Sequence, residues 1–289
     1  MHFKKAKGIL SAANGMNLCR GCTHGCIYCD SRSRCYKIEH DFEDVEIKIN
    51  APELLEERLR GKRRRCMIGT GAMSDPYIPI DESLKITRAC LEVIEKYGFG
   101  LAIQTKSNLI LRDLDLLASI NRKAKCVVQM TLTTFDEELC KIIEPNVCTT
   151  KKRLETLKTF NDHGIVTVVW FSPLLPFIND TMENVRGILD YCVEAKVRGI
   201  ICFGIGMTLR EGDREYYYEK LDKHFPGVRS LHEKRYGNNY IITSAHNREL
   251  MAYIHTFCKE NNITCDNNEV FKYLSSFDEK SKNAQPELF

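Results

Sequence analysis

Three cysteines near the amino terminus are spaced closely enough to bind one metal centre from a single loop. Cys22, Cys26 and Cys29 form the pattern C-x3-C-x2-C, and Tyr28 precedes the last of them. Three thiolates can hold a [4Fe–4S] cluster and leave its fourth iron without a protein ligand. The amino and carboxylate groups of S-adenosylmethionine (SAM) can occupy that position. The spacing therefore predicts a cluster that binds SAM and, once reduced, cleaves it to a 5′-deoxyadenosyl radical.

Zinc binding is the alternative use of the same cysteines, with Cys19 or His24 completing a tetrahedral site. Structural zinc sites usually take a second ligand pair about 12–20 residues further along the chain. Cys35 and His40 offer that pair only at irregular spacing. If this alternative holds, the protein binds zinc and has no catalytic activity.

The remaining cysteines are predicted to be mostly ordinary apolar side chains. The chain has 14 cysteines, and several, such as Cys126 and Cys192, lie inside apolar segments. A buried cysteine behaves as a small hydrophobic residue. Cys19 and Cys35 flank the cluster loop, so each is a candidate hydrogen donor as well as an inert thiol.

The elements that position the cysteines are predicted to be repeated βα units. Short β-branched runs alternate with segments of helical period between residues 65 and 204, as in a parallel sheet with helical crossovers. A further strand is expected directly before the cysteines. The six predicted strands are Gly8–Ser11, Cys66–Gly69, Leu101–Gln104, Cys126–Met130, Val166–Trp170 and Gly199–Phe203.

Helix signals lie between these strands and after them. Asp81 is expected to cap a helix that stops at Gly98, and Asp180 with Glu183 has the capping-box pattern. A further helix is predicted at His246–Asn261. The resulting α/β fold is a partial (β/α)6 TIM-type barrel with parallel strands and a helical C-terminal extension.

The barrel and its extension are expected to form one domain. Residues 1–206 are assigned to the barrel and residues 207–289 to an extension that packs on it. In parallel α/β folds the reacting groups gather at the carboxyl ends of the strands. The side chains that follow predicted strands, and are therefore expected to share one site, are those of the cysteine loop, Ser74, Asp75, Lys106 and Thr131.

Composition favours a small substrate. Among 289 residues, 42 Lys and Arg nearly balance 39 Asp and Glu, so the net charge of +3 does not by itself indicate a long nucleic-acid footprint. No stretch approaches about 20 consecutive apolar residues, and the first residues lack the apolar segment of a secretory signal. We therefore expect a cytoplasmic protein without a membrane partner.

The motifs together resemble those of radical SAM proteins of the spore-photoproduct-lyase-like group. The similarity covers roughly residues 8–206, and it implies the partial barrel, the [4Fe–4S] cluster and SAM as cofactors, and a flavodoxin- or ferredoxin-type electron donor. The matching segments are Gly21–Asp30, Met73–Tyr77, Thr105–Ser107, Arg112–Asp113, Glu144–Pro145 and Arg153.

The resemblance also implies roles in SAM binding. Tyr28 would approach the adenine, Ser74 would meet the methionine end, and Thr131 would lie near the ribose. Lys106 would pair with the SAM carboxylate, with Asp75 in the same cofactor-binding set. A lysine at the end of a buried strand needs an anion or solvent. A salt bridge between Lys106 and Asp75 is the alternative.

One position departs from the spore photoproduct lyases. Those enzymes have a hydrogen-donating cysteine two residues before the serine that matches Ser74, and this chain has Ala72 there. Within the group the chain is most similar to queuine lyases, which share its size and also lack that cysteine. The resemblance implies carbon–nitrogen bond cleavage that releases the 7-deazaguanine base preQ1 from queuine, in queuosine salvage for tRNA modification.

A planar deazaguanine needs hydrogen-bond acceptors for its edge and apolar rings for its faces. The candidate acceptors are Asp75, Glu211 and Asp213. The candidate platforms are Tyr77, Phe171 and Phe203. The sequence does not choose among them, and it identifies no catalytic side chain.

The basic run at residues 62–65 keeps nucleic-acid repair open as a second function. Four consecutive cations can meet phosphates, although a run of this kind before a strand is more often a solvated loop. A DNA photoproduct repair lyase is therefore the alternative enzyme.

Overall fold

The computed structural model describes residues 1–278, within which strands and helices alternate through most of the chain. The strands are β1 (His2–Lys4), β2 (Gly15–Met16), β3 (Cys19–Arg20), β4 (Glu46–Lys48), β5 (Met67–Thr70), β6 (Gly100–Thr105), β7 (Cys126–Thr131), β8 (Val166–Trp170), β9 (Gly199–Ile201), β10 (Gly206–Thr208) and β11 (Ile241–Thr243). The helices are α1 (Ala51–Arg60), α2 (Asp81–Tyr97), α3 (Leu114–Lys123), α4 (Glu137–Ile143), α5 (Thr150–Asp162), α6 (Met182–Glu194), α7 (Asp213–His224), α8 (Val228–Tyr236), α9 (Asn247–Glu260) and α10 (Asn267–Ser275).

Six strands form one parallel sheet in the order β2-β5-β6-β7-β8-β9. Helices α2, α3, α5 and α6 lie in the connections between β5 and β9. Because β2 and β9 are the edges of this sheet, the described strands form an open, partial barrel. The predicted α/β class and partial (β/α)6 barrel are confirmed.

The first strand of the sheet was predicted at the wrong place. It lies at Gly15–Met16, and the predicted segment Gly8–Ser11 leads into a turn instead. In that turn the amide of Asn14 donates to the carbonyl of Ser11 (3.0 Å), and Asn14 has a φ of 61°. The Asn-Gly pair is a recognised turn signal, so the chain reverses before it joins the sheet.

Two helix starts differ from the predicted caps. Asp81 is the first residue of α2 rather than its cap, although that helix ends before Gly98 as expected. Thr181 caps α6, its hydroxyl accepting from the amide of Asn184 (3.2 Å). Asp180 instead accepts from the amide of Phe177 (2.8 Å) in the preceding turn. The prediction at His246–Asn261 agrees with α9.

The two faces of the sheet pack against different elements. Along β7, Cys126, Val128 and Met130 belong to the large core beneath the outer helices. Val127 points to the opposite face, where it joins a smaller core with Val270 of α10. Burial of both faces explains the continuous apolar runs of the central strands.

The part of the chain after residue 206 lies along the sheet edge and over its carboxyl end. β10 pairs with β11, and the amide of Ile200 in β9 donates to the carbonyl of Thr264 (2.8 Å). The assignment of residues 207–289 as an extension of the same domain stays a prediction, and its residues 279–289 lie outside the described range. None of the described helices combines the length and apolarity needed to cross a bilayer.

A small second sheet frames the cysteine loop. In it β4 pairs in parallel with β1 and antiparallel with β3, which leads directly into the loop. The basic run at residues 62–65 lies elsewhere, in a largely exposed segment before the amino end of β5. It therefore lies at the end of the sheet opposite the cysteines.

Candidate active site

Backbone contacts fix the entry of the cysteine loop. Gly21 has a φ of 86°, and a Cβ built there would lie 2.3 Å from the carbonyl oxygen of Phe42. The same oxygen accepts a hydrogen bond from the amide of Cys22 (3.0 Å), and the hydroxyl of Ser74 donates to the carbonyl of Gly21 (2.6 Å). Only glycine fits this close approach.

The segment after α4 holds the other side of the loop. The amide of Ile27 donates to the carbonyl of Ile143 (3.0 Å), and the amide of Asn146 donates to the carbonyl of His24 (3.1 Å). The Asn146 side chain also donates to the carbonyl of Thr23 (2.9 Å). Hydrogen bonds to the backbone and to one side chain thus hold this side of the loop.

The three predicted ligands lie together in this loop and are withdrawn from water. Cys22 and Cys26 are buried, Cys29 is half-buried, and none forms a disulfide. Burial raises the pKa of Cys22 to about 12 and that of Cys26 well above its ordinary value. Burial also raises the pKa of Cys29, against the opposing charge of Lys106. Such thiols become thiolates when a metal centre binds them.

The three cysteine sulfurs are not gathered tightly around the position of a single ion. Within residues 1–278, the one group of three His, Cys, Asp or Glu ligand atoms within 4.8 Å of one another is His2, His40 and Asp44. The three cysteine sulfurs therefore lie further apart as a set. Tetrahedral zinc, with Zn–S bonds of about 2.3 Å, would bring them to about 3.8 Å. An iron–sulfur cube separates its ligands more widely, so this donor set fits a [4Fe–4S] cluster.

Tyr28 connects the loop to a buried ion pair. Its hydroxyl donates to Glu144, whose carboxylate lies 2.5 Å from the Arg153 guanidinium; both charged side chains are fully buried. Burial by itself would raise the pKa of Glu144, but the charges of Arg153 and Lys106 lower it overall. Arg153 also donates to the carbonyl of Thr131 at the end of β7 (3.0 Å). The pair thus ties the cysteine loop to the sheet.

Asp75 organises the turn after β5. Its carboxylate accepts from the amide of Tyr77 (2.9 Å), the hydroxyl of Thr105 (2.7 Å) and the amide of Lys106 (2.8 Å). A further contact, at 3.5 Å, joins it to Nδ1 of His24. These partners satisfy the carboxylate internally, so Asp75 acts on the site by positioning its neighbours.

The Lys106 ammonium faces a cavity instead of a carboxylate. Nζ lies 5.8 Å from the centre of the Tyr28 ring, and no carboxylate among the described residues lies within ion-pair distance of it. Burial would lower its pKa, but the nearby groups Cys26 and Glu144 raise it overall. The predicted alternative, a salt bridge from this ammonium to Asp75, is absent from the described residues.

A cavity of about 530 Å³ lies at the carboxyl end of the sheet, where the βα loops meet the residues after 206. Its wall contains one carboxylate, Asp30, and one cation, Lys106. The other lining residues are Cys26, Tyr28, Cys29, Ser31, Tyr36, Ala72, Met73, Trp170, Ser172, Pro173, Phe203, Gly204, Ile205, Gly206, Met207, Thr208, Ile241, Ile242, Thr243 and Asn247. Sites of this size bind small organic molecules.

The cavity mouth carries an aromatic cluster. Phe203 is 66% exposed, and its ring lies 6.1 Å from Trp170 and 6.1 Å from Phe271, with which it stacks. Trp170 is oriented by a hydrogen bond from Nε1 to the side chain of Gln129 (2.9 Å). An exposed ring beside oriented ones is a surface that can stack on a flat ligand.

Three predicted cofactor-binding residues, Ser74, Asp75 and Thr131, do not line the cavity. Ser74 is buried beneath the cysteine loop, where it donates to Gly21. Thr131 is buried at the end of β7 beside Arg153. The structure therefore places Tyr28 and Lys106 in the cavity wall. Ser74, Asp75 and Thr131 instead form hydrogen bonds that hold the surrounding loops and strand ends.

Of the predicted ring platforms, only Phe203 lines the cavity. Phe171 belongs to the large core, and Tyr77 is buried with its hydroxyl donating to Asp113 (3.1 Å). Phe171 and Tyr77 are therefore corrected to core residues. Trp170, the neighbour of Phe171 in sequence, faces the cavity in its place.

The predicted acceptors have other partners and do not line the cavity. Glu211 pairs with Arg34 on the surface. Asp213 begins α7 and accepts from the amide of Arg210 (2.6 Å), and burial raises its pKa to about 6. The structure thus places none of these three carboxylates in the cavity wall.

Neither candidate thiol donor lines the cavity. Cys19 is buried against the hydroxyl of Ser83 (3.3 Å), and Cys35 is exposed beside Arg210. Among the described residues, the cysteines of the cavity wall are Cys26 and Cys29, both in the cluster loop. Ala72 lies in that wall without a thiol.

Sequence reasoning missed several wall residues. Tyr36 lies in the cavity wall and donates from its hydroxyl to Asp30 (2.7 Å). Ile241 is 65% exposed, and it reaches the same wall from β11, with Asn247 from the start of α9. No local sequence pattern marks Ile241 or Asn247, because only the tertiary fold of the residues after 206 brings them to the barrel.

Comparison with known proteins agrees with this geometry. A family profile described as the Radical SAM superfamily matches residues 16–192. A solved structure of spore photoproduct lyase complexed with dinucleoside spore photoproduct is similar with a TM-score of 0.62 and 13% identity, covering 86% of this chain and 74% of that one. The radical S-adenosylmethionine methyltransferase TsrM from Kitasatospora setae gives a TM-score of 0.57 and 12% identity, covering 87% and 54% of the chains.

The sequence relatives do not identify a substrate. An uncharacterized protein of Methanocaldococcus jannaschii is 35% identical over 163 residues, which cover 55% of this chain and 60% of that protein. The chain thus spans less than two thirds of this relative. At 12–14% identity, the structural neighbours show a shared fold.

Proposed function

Because the chain belongs to the radical SAM superfamily, whose members use a [4Fe–4S] cluster and SAM, we propose that it is a lyase that breaks a carbon–nitrogen bond in a modified 7-deazaguanine. The proposed substrate is queuine and the proposed product base is preQ1. A flavodoxin- or ferredoxin-type protein is the proposed electron donor.

In this proposal Cys22, Cys26 and Cys29 hold the cluster. When bound and reduced, the cluster supplies the electron that cleaves SAM into methionine and a 5′-deoxyadenosyl radical. The ammonium of Lys106 binds the SAM carboxylate, which is supported by its position in the wall without an anionic partner among the described residues. The Tyr28 ring lies against the adenine.

The composition of the cavity wall is the observation that carries the substrate proposal. Ala72 occupies a wall position, and no cysteine outside the cluster loop lines the described cavity. A repair reaction that needs a thiol hydrogen donor therefore finds none there. The aromatic mouth at Phe203 and Trp170 suits a flat heterocycle. The exposed basic run lies at the far end of the sheet, so it does not extend this site toward DNA.

The remaining lining groups suit a neutral, polar ligand. Ser31, Thr208, Thr243 and Asn247 place hydroxyl and amide groups around the cavity. Such groups can both donate to and accept from the edge of a deazaguanine or the hydroxyls of a cyclopentenediol. Hydrogen abstraction from the cyclopentenediol would weaken the adjacent carbon–nitrogen bond. Its cleavage would leave the unpaired electron on the nitrogen of the base, which would become preQ1 by taking up one electron from the proposed electron donor and a proton.

The test is a product analysis under anaerobic conditions. Protein reconstituted with iron and sulfide, supplied with dithionite, SAM and queuine, is expected to form 5′-deoxyadenosine and preQ1. Cys26→Ala should abolish both products, while Cys66→Ala, a half-buried cysteine outside the loop, should leave them unchanged. 5′-Deoxyadenosine without preQ1 would reject the substrate and retain the enzyme class. Conversion of a dinucleoside spore photoproduct would favour the repair function.

A further inference from the structure

Three side chains near the cysteine loop, outside the proposed SAM site, bring potential metal ligands close together. His2 lies on β1, and His40 and Asp44 lie on the segment before β4; one ligand atom of each lies within 4.8 Å of the others. Nδ1 of His2 is 2.9 Å from Asp44, and the rings of His2 and His40 meet edge to face at 4.7 Å. Each residue is half-buried.

The tautomer of His40 leaves one ring nitrogen with a lone pair that a cation can take. Its Nδ1 lies 2.9 Å from the carbonyl oxygen of Asp41, and because a carbonyl only accepts, Nδ1 carries the proton. Nε2 is then an acceptor, and it is shielded from solvent with no hydrogen-bond partner. Metal-binding histidines usually donate their other nitrogen to a carbonyl or carboxylate in this way. A cation would satisfy an atom that is costly to leave unpaired.

Neighbouring charges hold the ligands in place. Glu46 lies 3.8 Å from Nε2 of His2, the ring nitrogen that does not face Asp44, and it also binds Lys4, at 2.9 Å. The second oxygen of Asp44 lies 2.6 Å from the amino group of Met1. Two imidazoles and one carboxylate are ligands that zinc accepts readily.

We propose that His2, His40 and Asp44 form a zinc site that is separate from the cluster. The ion takes the place of the proton between Nδ1 of His2 and Asp44, and the neutral imidazole then carries its one proton on Nε2, which faces Glu46. Zn–N and Zn–O bonds of about 2.0–2.2 Å in tetrahedral geometry need ligand atoms about 3.4 Å apart, so the pair opens only slightly.

The position of this site gives it a structural role. Phe42, between His40 and Asp44, accepts from the amide of Cys22 (3.0 Å). A Cβ added to Gly21 would lie 3.7 Å from the His40 ring. Zinc bound here therefore fastens β1 to the segment that holds the first cysteine of the cluster loop.

The test uses the full chain with its cluster in place and an affinity tag free of histidine at the C-terminus. After exposure to Zn²⁺ and desalting, elemental analysis is expected to find about one zinc per chain. Zinc-edge X-ray absorption should show nitrogen and oxygen ligands only, which distinguishes this site from cysteine binding. His2→Ala, His40→Ala and Asp44→Asn should each weaken zinc binding by about 100-fold.

His163→Ala is the matched control. His163 is also a surface histidine with Nδ1 at a backbone carbonyl, that of Thr159 (2.8 Å), but it is not part of the donor group. Asp44→Asn keeps the side-chain shape and decides the matter if a histidine variant does not fold. Unchanged zinc content in Asp44→Asn, sulfur among the zinc ligands, or no retained zinc in the parent protein would overturn the proposal.

Discussion

The carboxylate of Asp75 accepts a hydrogen bond from the backbone amide of Lys106, at 2.8 Å, and leaves the ammonium of the same residue to the cavity. The two residues therefore have different tasks although they adjoin. Asp75 fixes the turn at the end of β6, and Lys106 presents a positive charge beside Cys26 and Cys29.

Lys106→Met should weaken SAM binding while leaving the cluster in place. A hydrogen bond between two charged groups contributes about 1.5–3 kcal/mol, which corresponds to a loss of about 10- to 150-fold in affinity. Equilibrium binding of SAM to the reconstituted protein measures the change. Lys85→Met, an exposed lysine of α2, is the control and should bind SAM as the parent does. Equal affinity in the two variants would remove Lys106 from the SAM site.

Glu144→Gln should destabilise the fold strongly. The substitution leaves the guanidinium of Arg153 buried without its counter-charge, which costs about 3–5 kcal/mol in free energy of unfolding. Urea unfolding of the anaerobic protein measures this. Glu138→Gln breaks the exposed pair with Lys141 in the same helix and should cost no more than about 1 kcal/mol. An equally small loss of unfolding free energy in Glu144→Gln would contradict the stabilising role of the buried ion pair beneath the cysteine loop.

Phe203→Ala should impair substrate binding without affecting stability. The side chain is mostly exposed, so its loss should change the free energy of unfolding by no more than about 0.5 kcal/mol. Loss of base stacking, worth about 1–3 kcal/mol, should raise the KM for queuine about 5- to 150-fold. Leu231→Ala, an exposed apolar residue of α8, serves as the control. An unchanged KM would place the base away from the aromatic mouth.

Gly21→Ala should lower the iron content of the reconstituted protein. The new methyl group would overlap the carbonyl of Phe42 and displace the loop at Cys22. Gly164→Ala is matched in backbone conformation, with a φ of 69° and nothing within 4 Å of the added atom. It should cost only about 1–2 kcal/mol of backbone strain and keep its iron. Full iron loading of Gly21→Ala would show that the loop tolerates the shift.

The central strands were predictable because their burial on both faces shows directly in the local sequence. Every residue of β7 is buried, and its sequence is apolar apart from Gln129 and Thr131, so the strand can be identified without tertiary information. β2 has only two residues, and its place depends on the turn at Asn14 and on pairing with β5. Periodicity cannot locate an element that short.

Some parts of the candidate site were likewise predictable from local sequence and others were not. The three cysteines lie within eight residues of each other, so a loop brings them together whatever the rest of the chain does. The cavity wall requires Trp170, Phe203 and Ile241 to meet from three different strands or loops. At the end of β8, one register step separates Trp170 in the wall from Phe171 in the core. Phe171 was predicted as a candidate platform and Trp170 was passed over, because sequence alone does not say which of two neighbours faces the cavity.

Because Val270 and Leu274 of α10 cover the inner side of the sheet, the apolar centre of the barrel is closed by the last helix of the described residues. During synthesis on the ribosome the strands emerge long before this cover does, since chains fold from the amino end as they are made. The nascent protein therefore passes through a stage in which the apolar inner face of its strands is exposed to water. Truncation before residue 267 should yield an aggregation-prone product that depends on chaperones.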